Sequence, residues 1–255
     1  MKASRMRNVG VSRIVDSYLV RDGSVVGLNL HESRFTRMAC AAGARREKIA
    51  EFLRGVRHEI PSSGEWFPKL CYVPETDDCS LELRPAPPLR NTTTVWVPPE
   101  EDTRAAPAMK GPDLSRLGKL REKAQTQGAD DALLHYSGEV IELAHASLVF
   151  FQPDGGVIIP GTGHPTLESV TLKTTAELLG WKDACRRPVS LQEAMSANLC
   201  AWAGSSLHGW TPVLAWIAGD TKYTVHTASL TNAPQAAAVN AKLWETSQSL
   251  ALARR

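Results

Sequence analysis

The sequence predicts an α+β protein in two parts, and three observations carry this. Strand-like and helix-like stretches mix in both halves, without the regular β-α alternation of a doubly wound sheet. Several strand candidates are joined by short turn signals, so the sheets are expected to meander. A stretch rich in proline, charge and small residues, Pro98 to Pro112, has no apolar period and reads as a linker. The expected parts are residues 1–107 and 108–255. No internal repeat is visible.

The first part opens with a hairpin. SYLVRDGSVVGLNL is rich in β-branched and apolar residues, and Asp22-Gly23 is a turn pair. A helix is expected from near His31 toward Ala42. A second helix places Ile49, Phe52, Leu53 and Val56 on one face at spacings of three and four. Strands are expected at Lys69–Val73, Leu81–Leu83 and Thr92–Val97, with Pro85, Pro87 and Pro88 between the last two. Beyond the linker, Leu114, Leu117, Leu120 and Ala124 form the stripe of an amphipathic helix that ends before Gly128.

The second part then turns to strands. Asp131–Tyr136 and Glu139–Glu142 flank Ser137-Gly138, and Ser147–Phe151 and Val157–Pro160 flank the run Pro153 to Gly156. A helix from Val170 to Leu179 stops at Gly180, the residue expected at a left-handed C-cap. Ser190 and Glu193 form a capping box that opens a short helix. Asn198–Ala203 and Val213–Ile217 read as buried strands. A last helix starts near Asn232 and carries Val239, Leu243 and Leu250 on one face.

Composition narrows the function. Hydrophobic residues are 43% and charged residues 22% of 255, which rules out wholesale disorder. The net charge of +2 argues against a dedicated polyanion binder. No apolar run reaches the roughly 18 residues of a membrane helix. The basic start MKASRMRNVG lacks the apolar core of a secretory signal. The five cysteines are odd in number and contain no C-x-x-C pair, so reduced thiols of a cytosolic protein are expected, with no metal site. No phosphate-binding glycine loop, zinc-protease helix or serine elbow occurs.

Taken in order, several segments resemble the class IV pyridoxal-phosphate aminotransferases. That family includes branched-chain and D-amino-acid aminotransferases and 4-amino-4-deoxychorismate lyases. The segments are LNLHESRF (28–35), MKGPDLSRL (109–117), GADDALLHYSGEVIELAHASLVFF (128–151), VIIP, LESVTL (167–172) and SSLHGWTPV (205–213). The last run of 128–151 is similar to the family's G-x-D-E-x-L-x-L, turn, E, then N-L-F. The resemblance implies a two-domain fold-type IV pyridoxal-phosphate enzyme, like D-amino-acid aminotransferase. It implies pyridoxal 5′-phosphate as cofactor and amino-group transfer between an amino acid and a 2-oxo acid. It also implies a cytoplasmic homodimer acting on small molecules, with neither nucleic acid nor membrane as partner. The alternatives are aminodeoxychorismate lyase chemistry, which releases pyruvate and 4-aminobenzoate, and a weakly catalytic homologue that binds the cofactor.

The resemblance also assigns residues. Lys110 matches the lysine whose amine forms the Schiff base with the cofactor and shuttles the substrate proton, which requires a lowered pKa. Glu142 matches the carboxylate set against the pyridine nitrogen, with Glu139 as the competing residue nearer the turn. Arg34, in the family's H-x-x-R-[FL] motif, is the expected phosphate ligand, and His31 beside it is expected to be a packing or helix-start residue and not a ligand. The backbone at Val170 and Thr171 opens a helix toward the phosphate, and Ser205 and Ser206 supply hydroxyls. Three positions depart from the family pattern: Ser147 for asparagine, Ser169 for glycine and Leu172 for arginine. Asp113 stands where the lyase branch carries K-x-x-N, which brings the segment closer to that branch.

Overall fold

The computed structural model describes residues 11–161, 163–181, 185–196, 198–225 and 235–251. In the first stretch, β1 (Ile14–Ser17) leads into β2 (Val20–Arg21) and β3 (Ser24–Val25). The Asp22-Gly23 turn between β2 and β3 has φ of 44° and 71°, the positive pair that a two-residue hairpin needs to match strand twist. These strands stay short because α1 (Leu28–Ala41) begins roughly a turn before the expected start near His31. Next, α2 (Arg46–Glu59) buries Ile49, Leu53 and Val56. After β4 (Glu65–Trp66) and β5 (Lys69–Val73), β6 (Asp78–Glu82) lies earlier than expected, because its exposed alternate residues give little apolar signal.

From there the chain runs β7 (Thr93–Val97), α3 (Leu114–Thr126), β8 (Asp131–Tyr136), β9 (Glu139–Leu143), β10 (Ser147–Phe151) and β11 (Val157–Pro160). It continues with α4 (Val170–Leu179), β12 (Cys185–Arg187), α5 (Leu191–Ala194), β13 (Cys200–Ser205), β14 (Gly209–Ala218), β15 (Thr221–Thr224), α6 (Ala236–Glu245) and β16 (Gln248–Ser249). The helix α4 ends at Gly180 with φ 68°, and the Ser190 side chain accepts from the Glu193 N–H, as the capping patterns require. The start expected for the last helix near Asn232 lies outside the described residues. The expected strand at Val213 is the middle of the longer β14. Its register shifts between Val213 and Ala215, just past Pro212, which has no N–H for the ladder.

Three sheets result among the described residues. The first, β1-β5-β6, is antiparallel and lies under α1 and α2, with Ile14, Phe35, Met38, Ile49, Leu70 and Tyr72 in the shared core. The large sheet has nine strands in the order β12-β11-β10-β13-β14-β7-β8-β9, with β15 added on β14. Its two ends meet: Val140 of β9 donates to the Val189 carbonyl at 2.8 Å, and Glu139 bridges Ser190. The sheet is therefore curled, with Leu133, Leu148, Phe150, Val213 and Trp216 among the buried residues of its core. All five residues of β10 are buried, and so are the first five of β8, because α3, α4 and α6 help cover the outer face. A third sheet, β16-β3-β2-β4, ties the C-terminal end to the first hairpin.

Strands cross the expected 107/108 division in both directions. β7 pairs in parallel with β14 and β8 at the centre of the large sheet, while β16 pairs with β3. The linker between β7 and α3 holds no strand or helix and is fixed to both sides. Val15 of β1 donates its N–H to the Lys110 carbonyl at 2.8 Å, and Asp113 accepts from the Ala105 and Ala106 N–H groups at 3.1 and 2.9 Å.

Gly111 makes this docking possible. At φ 148°, a side chain there would overlap the Arg13 carbonyl oxygen and reach the Ile14 Cα at 3.0 Å. Both obstacles are backbone and cannot rotate away. Gly111→Ala should lose about 2 kcal/mol or more in a denaturant melt. Gly118→Ala, in α3 with open space around it, should be neutral or gain up to about 1 kcal/mol. Equal behaviour of the two variants would refute the close-approach argument.

Candidate active site

One cleft gathers the expected site residues. Arg34, Lys110, Glu142, Val170 and Thr171 line it, together with Ser205 and Ser206. They come from five places: α1, the linker, β9, the start of α4, and the turn between β13 and β14.

Asp16 on β1 organises the first side of the cleft. It is 0% exposed and accepts from Arg34 Nε at 2.8 Å and Arg34 Nη2 at 2.7 Å. His31 Nδ1 lies 2.9 Å from the same carboxylate. One helical turn separates His31 from Arg34, so both fall on the buried face of α1. Burial alone would raise the Asp16 pKa, but Arg34 and His31 outweigh it and hold the carboxyl well below its ordinary range. Burial lowers the His31 pKa, against the pull of Asp16. Arg34 Nη1 donates to the Glu168 carbonyl at 2.9 Å, just before α4.

On the opposite side, Glu142 is 8% exposed near the end of β9. Its Oε1 takes Arg104 Nη1 at 2.7 Å and the Leu167 N–H at 3.3 Å, and its Oε2 has no partner among the described residues. Arg104 is itself held by Asp102 at 2.9 Å. Burial raises the Glu142 pKa, and Arg104 limits the rise. Glu139, by contrast, is half-buried at the start of β9 and pairs with Ser190 outside the cleft. Lys110 lies between the two sides. Burial depresses its amine pKa, Arg34 depresses it further, and Asp16 and Glu142 oppose them.

The far end of the cleft is a cup of donors. Ser169 caps α4, its Oγ accepting from the Leu172 N–H at 3.2 Å, while the Lys173 N–H reaches the Ser169 carbonyl at 3.0 Å. The N–H groups of Val170 and Thr171 have no partner among the described residues. Ser206 Oγ donates to the Ser17 carbonyl at 2.9 Å, and Ser205 Oγ accepts from the His208 N–H at 3.1 Å. Both hydroxyl oxygens keep lone pairs.

Sequence reasoning missed Asp16 and Arg104. Asp16 left a signal, a lone carboxylate inside the apolar run IVDSYLV. Arg104 left none, being one charge among several in the linker. His31 packs as expected, but it also lines the cleft. Asp113, which brought the segment nearer the lyase pattern, is turned to the linker backbone. Among the described residues no cluster of His, Cys, Asp or Glu could hold a metal, and no helix is long and apolar enough to cross a membrane.

Compared with known proteins, residues 13–216 match the amino-transferase class IV family. No curated protein matches the sequence. Solved structures share the fold. A branched-chain aminotransferase from Thermoproteus uzoniensis, solved with norvaline, has a TM-score of 0.72 at 14% identity, covering 93% of this chain and 84% of its own. An aminotransferase from Brucella abortus, bound to pyridoxal phosphate, gives 0.73 at 14% identity over 96% and 93%. A provisionally named 4-amino-4-deoxychorismate lyase from Legionella pneumophila gives 0.71 at 14% identity over 92% and 91%.

The Arg104–Glu142 pair can be tested without any ligand. Glu142 has a raised pKa in the folded chain, so its contribution to stability falls as pH rises from the ordinary carboxylate range through the raised value. Removing Arg104 should widen that window. Arg104→Gln should destabilise the protein by about 3 kcal/mol, with a larger loss at about pH 8 than at about pH 5. Thermal melts at the two pH values check this, and an equal loss at both would exclude Glu142 as the cause.

Proposed function

The chain belongs to the amino-transferase class IV family, whose members are pyridoxal-phosphate enzymes, and we propose that Lys110 and Glu142 carry its amino-group transfer. In this reading the donor is an amino acid, the acceptor is a 2-oxo acid, and the enzyme is a cytoplasmic homodimer. Residues 1–107 and 108–255 flank the cleft, with β7 and β16 crossing between them. The observation that carries the proposal is that one cleft holds both a lysine amine whose pKa burial lowers and a carboxylate oxygen, Glu142 Oε2, with no partner among the described residues.

The residues present fit the cofactor. A phosphate suits the two unpartnered N–H groups at the start of α4, which has ten residues and a macrodipole that favours an anion there. Ser205, Ser206 and Arg34 complete that cup. Arg34 is already chelated by Asp16, so it contributes N–H donors of fixed direction rather than a free positive charge. Glu142 Oε2 suits a protonated ring nitrogen, and Arg104 orients that carboxylate and opposes the rise of its pKa. Bound pyridoxal phosphate supplies an aldehyde carbon for amine exchange and a ring that withdraws electrons from the substrate α-carbon.

Lys110 then has two tasks: to hold the cofactor covalently and to move a proton. Burial lowers its pKa, and the lone pair of the neutral amine would take the proton from the substrate α-carbon. Gly111 and the Val15 bond to the Lys110 carbonyl fix the backbone beneath the side chain. The departures at Ser147 and Ser169 meet each other, their hydroxyls 3.1 Å apart. Lyase chemistry would use the same lysine, and release of 4-aminobenzoate with pyruvate would identify it.

Borohydride reduction of the yellow protein should fix the cofactor to one peptide, containing Met109-Lys110-Gly111. Lys110→Ala should lose the colour, keep part of the noncovalent binding, and drop turnover by orders of magnitude. Labelling at Lys69, Lys119 or Lys123 would overturn the site. Independently, Glu142→Gln should retain cofactor and lose most activity, while Glu139→Gln should change little. Similar behaviour of these two variants would remove Glu142 from its role.

A further inference from the structure

We propose that His145, set in place by Asp131, recognises the α-carboxylate of the substrate at the side of the cleft. The proposal rests on the aminotransferase reading above and goes beyond it by naming the residue that selects an acid as substrate.

His145 lies in the turn from β9 to β10, three residues after Glu142, and lines the same cleft as Glu142 and Lys110. Its side chain keeps 30% of its exposure, whereas Asp131 behind it keeps 1%. Asp131 accepts from the Ala132 N–H at 2.9 Å and from the His145 N–H at 3.2 Å, and its Oδ1 is 3.5 Å from His145 Nδ1. A carboxylate buried this deeply directs any nearby imidazole N–H toward itself. Nδ1 therefore carries the proton that faces Asp131, and Nε2 is the nitrogen left for a ligand. A protonated ring donates a charge-assisted hydrogen bond from Nε2–H to a carboxylate, while Asp131 balances the charge from behind.

Elimination points the same way. Among the described residues of the cleft, the other cations are committed. Arg34 is held by Asp16 and the Glu168 carbonyl. Arg104 uses Nε on Asp102 and Nη1 on Glu142, and its unpartnered Nη2 is sealed from solvent. Lys110 is reserved for the cofactor. His31 is held by Asp16, so His145 is the remaining basic side chain that lines the cleft among the described residues. The arrangement also explains why a carboxylate as buried as Asp131 stands on β8, where an apolar residue would pack without any partner.

The test measures binding apart from turnover. Propionate, a carboxylate with no amino group to react, is titrated calorimetrically into the holoprotein. His145→Phe should weaken its binding about tenfold and raise KM for the amino acid by a similar factor, with kcat held within about threefold. His145→Gln keeps an N–H donor and should lose about threefold. Asp131→Asn should weaken propionate in the wild-type background and add nothing to His145→Phe. Unchanged propionate affinity and KM in a folded His145→Phe protein would overturn the proposal and leave amino-group transfer standing. Propionate binding that depends on His145, in a protein that turns over no amino acid, would keep the proposal and sink the transferase reading. If His145→Phe fails to fold, the Gln variant and the Asp131→Asn titration decide, and no weakening in either refutes the role.

Discussion

Asp16 lies wholly buried on β1, and a carboxylate there stays ionised only with positive partners in contact. That constraint fixes Arg34, with His31 hydrogen-bonded to the same carboxylate, and through Arg34 Nη1 it reaches the Glu168 carbonyl at the entry to α4. The neighbours of Asp16 on the same strand act in parallel. Val15 donates to the Lys110 carbonyl, and the Ser17 carbonyl receives the Ser206 hydroxyl. Three consecutive residues thus hold the lysine, the arginine and one wall of the donor cup. A shift of β1 by one position would exchange its inner and outer faces and release all three.

The charges of the cleft are arranged so that each fixed cation already has an anion. Arg34 is matched by Asp16, and Arg104 by Asp102 and Glu142. The consequence falls on Lys110. Burial and a nearby guanidinium lower its amine pKa, and the neighbouring carboxylates, engaged with arginines, offset this only in part. A lysine paired directly with a carboxylate would stay protonated and could serve neither as nucleophile nor as base. Pairing the arginines first leaves the amine available.

Much of the fold was legible because its elements carry strong local patterns. The strands at 131–136, 147–151 and 157–160 and the helix at 170–179 fall where apolar runs, turn pairs and capping residues put them. What escaped was set by long-range pairing. β7 is an ordinary apolar strand in sequence, and nothing near it says that both its neighbours, β8 and β14, lie far beyond the linker. β4 and β16 are two residues each and exist only because β2 and β3 offer them edges. In the site, the expected residues came from motif resemblance, whereas Arg104 and Asp131 take their meaning from partners brought near by the fold. A linker arginine becomes informative only when Glu142 is 2.7 Å away.

The positions that depart from the family pattern form one connected piece. Each serine hydroxyl has a single proton, so the direction of the chain is forced. Leu172 N–H donates to Ser169 Oγ, Ser169 donates to Ser147 Oγ, and Ser147 donates to the Gly204 carbonyl. Position 204 has no room for a side chain, since a Cβ would come within 2.5 Å of the Trp210 ring. Leu172 itself turns into the apolar layer that contains Trp202, Trp210 and Leu243. A helix start leaves four N–H groups open. Here those are the groups of Ser169 to Leu172; the Ser169 side chain takes that of Leu172, and Lys173 already bonds within the helix, to the Ser169 carbonyl. The Val170 and Thr171 N–H groups lie side by side at the cleft with no partner among the described residues. The serines therefore anchor the helix start, while the two N–H groups that face the cleft stay open, because backbone donors do not depend on which side chains surround them.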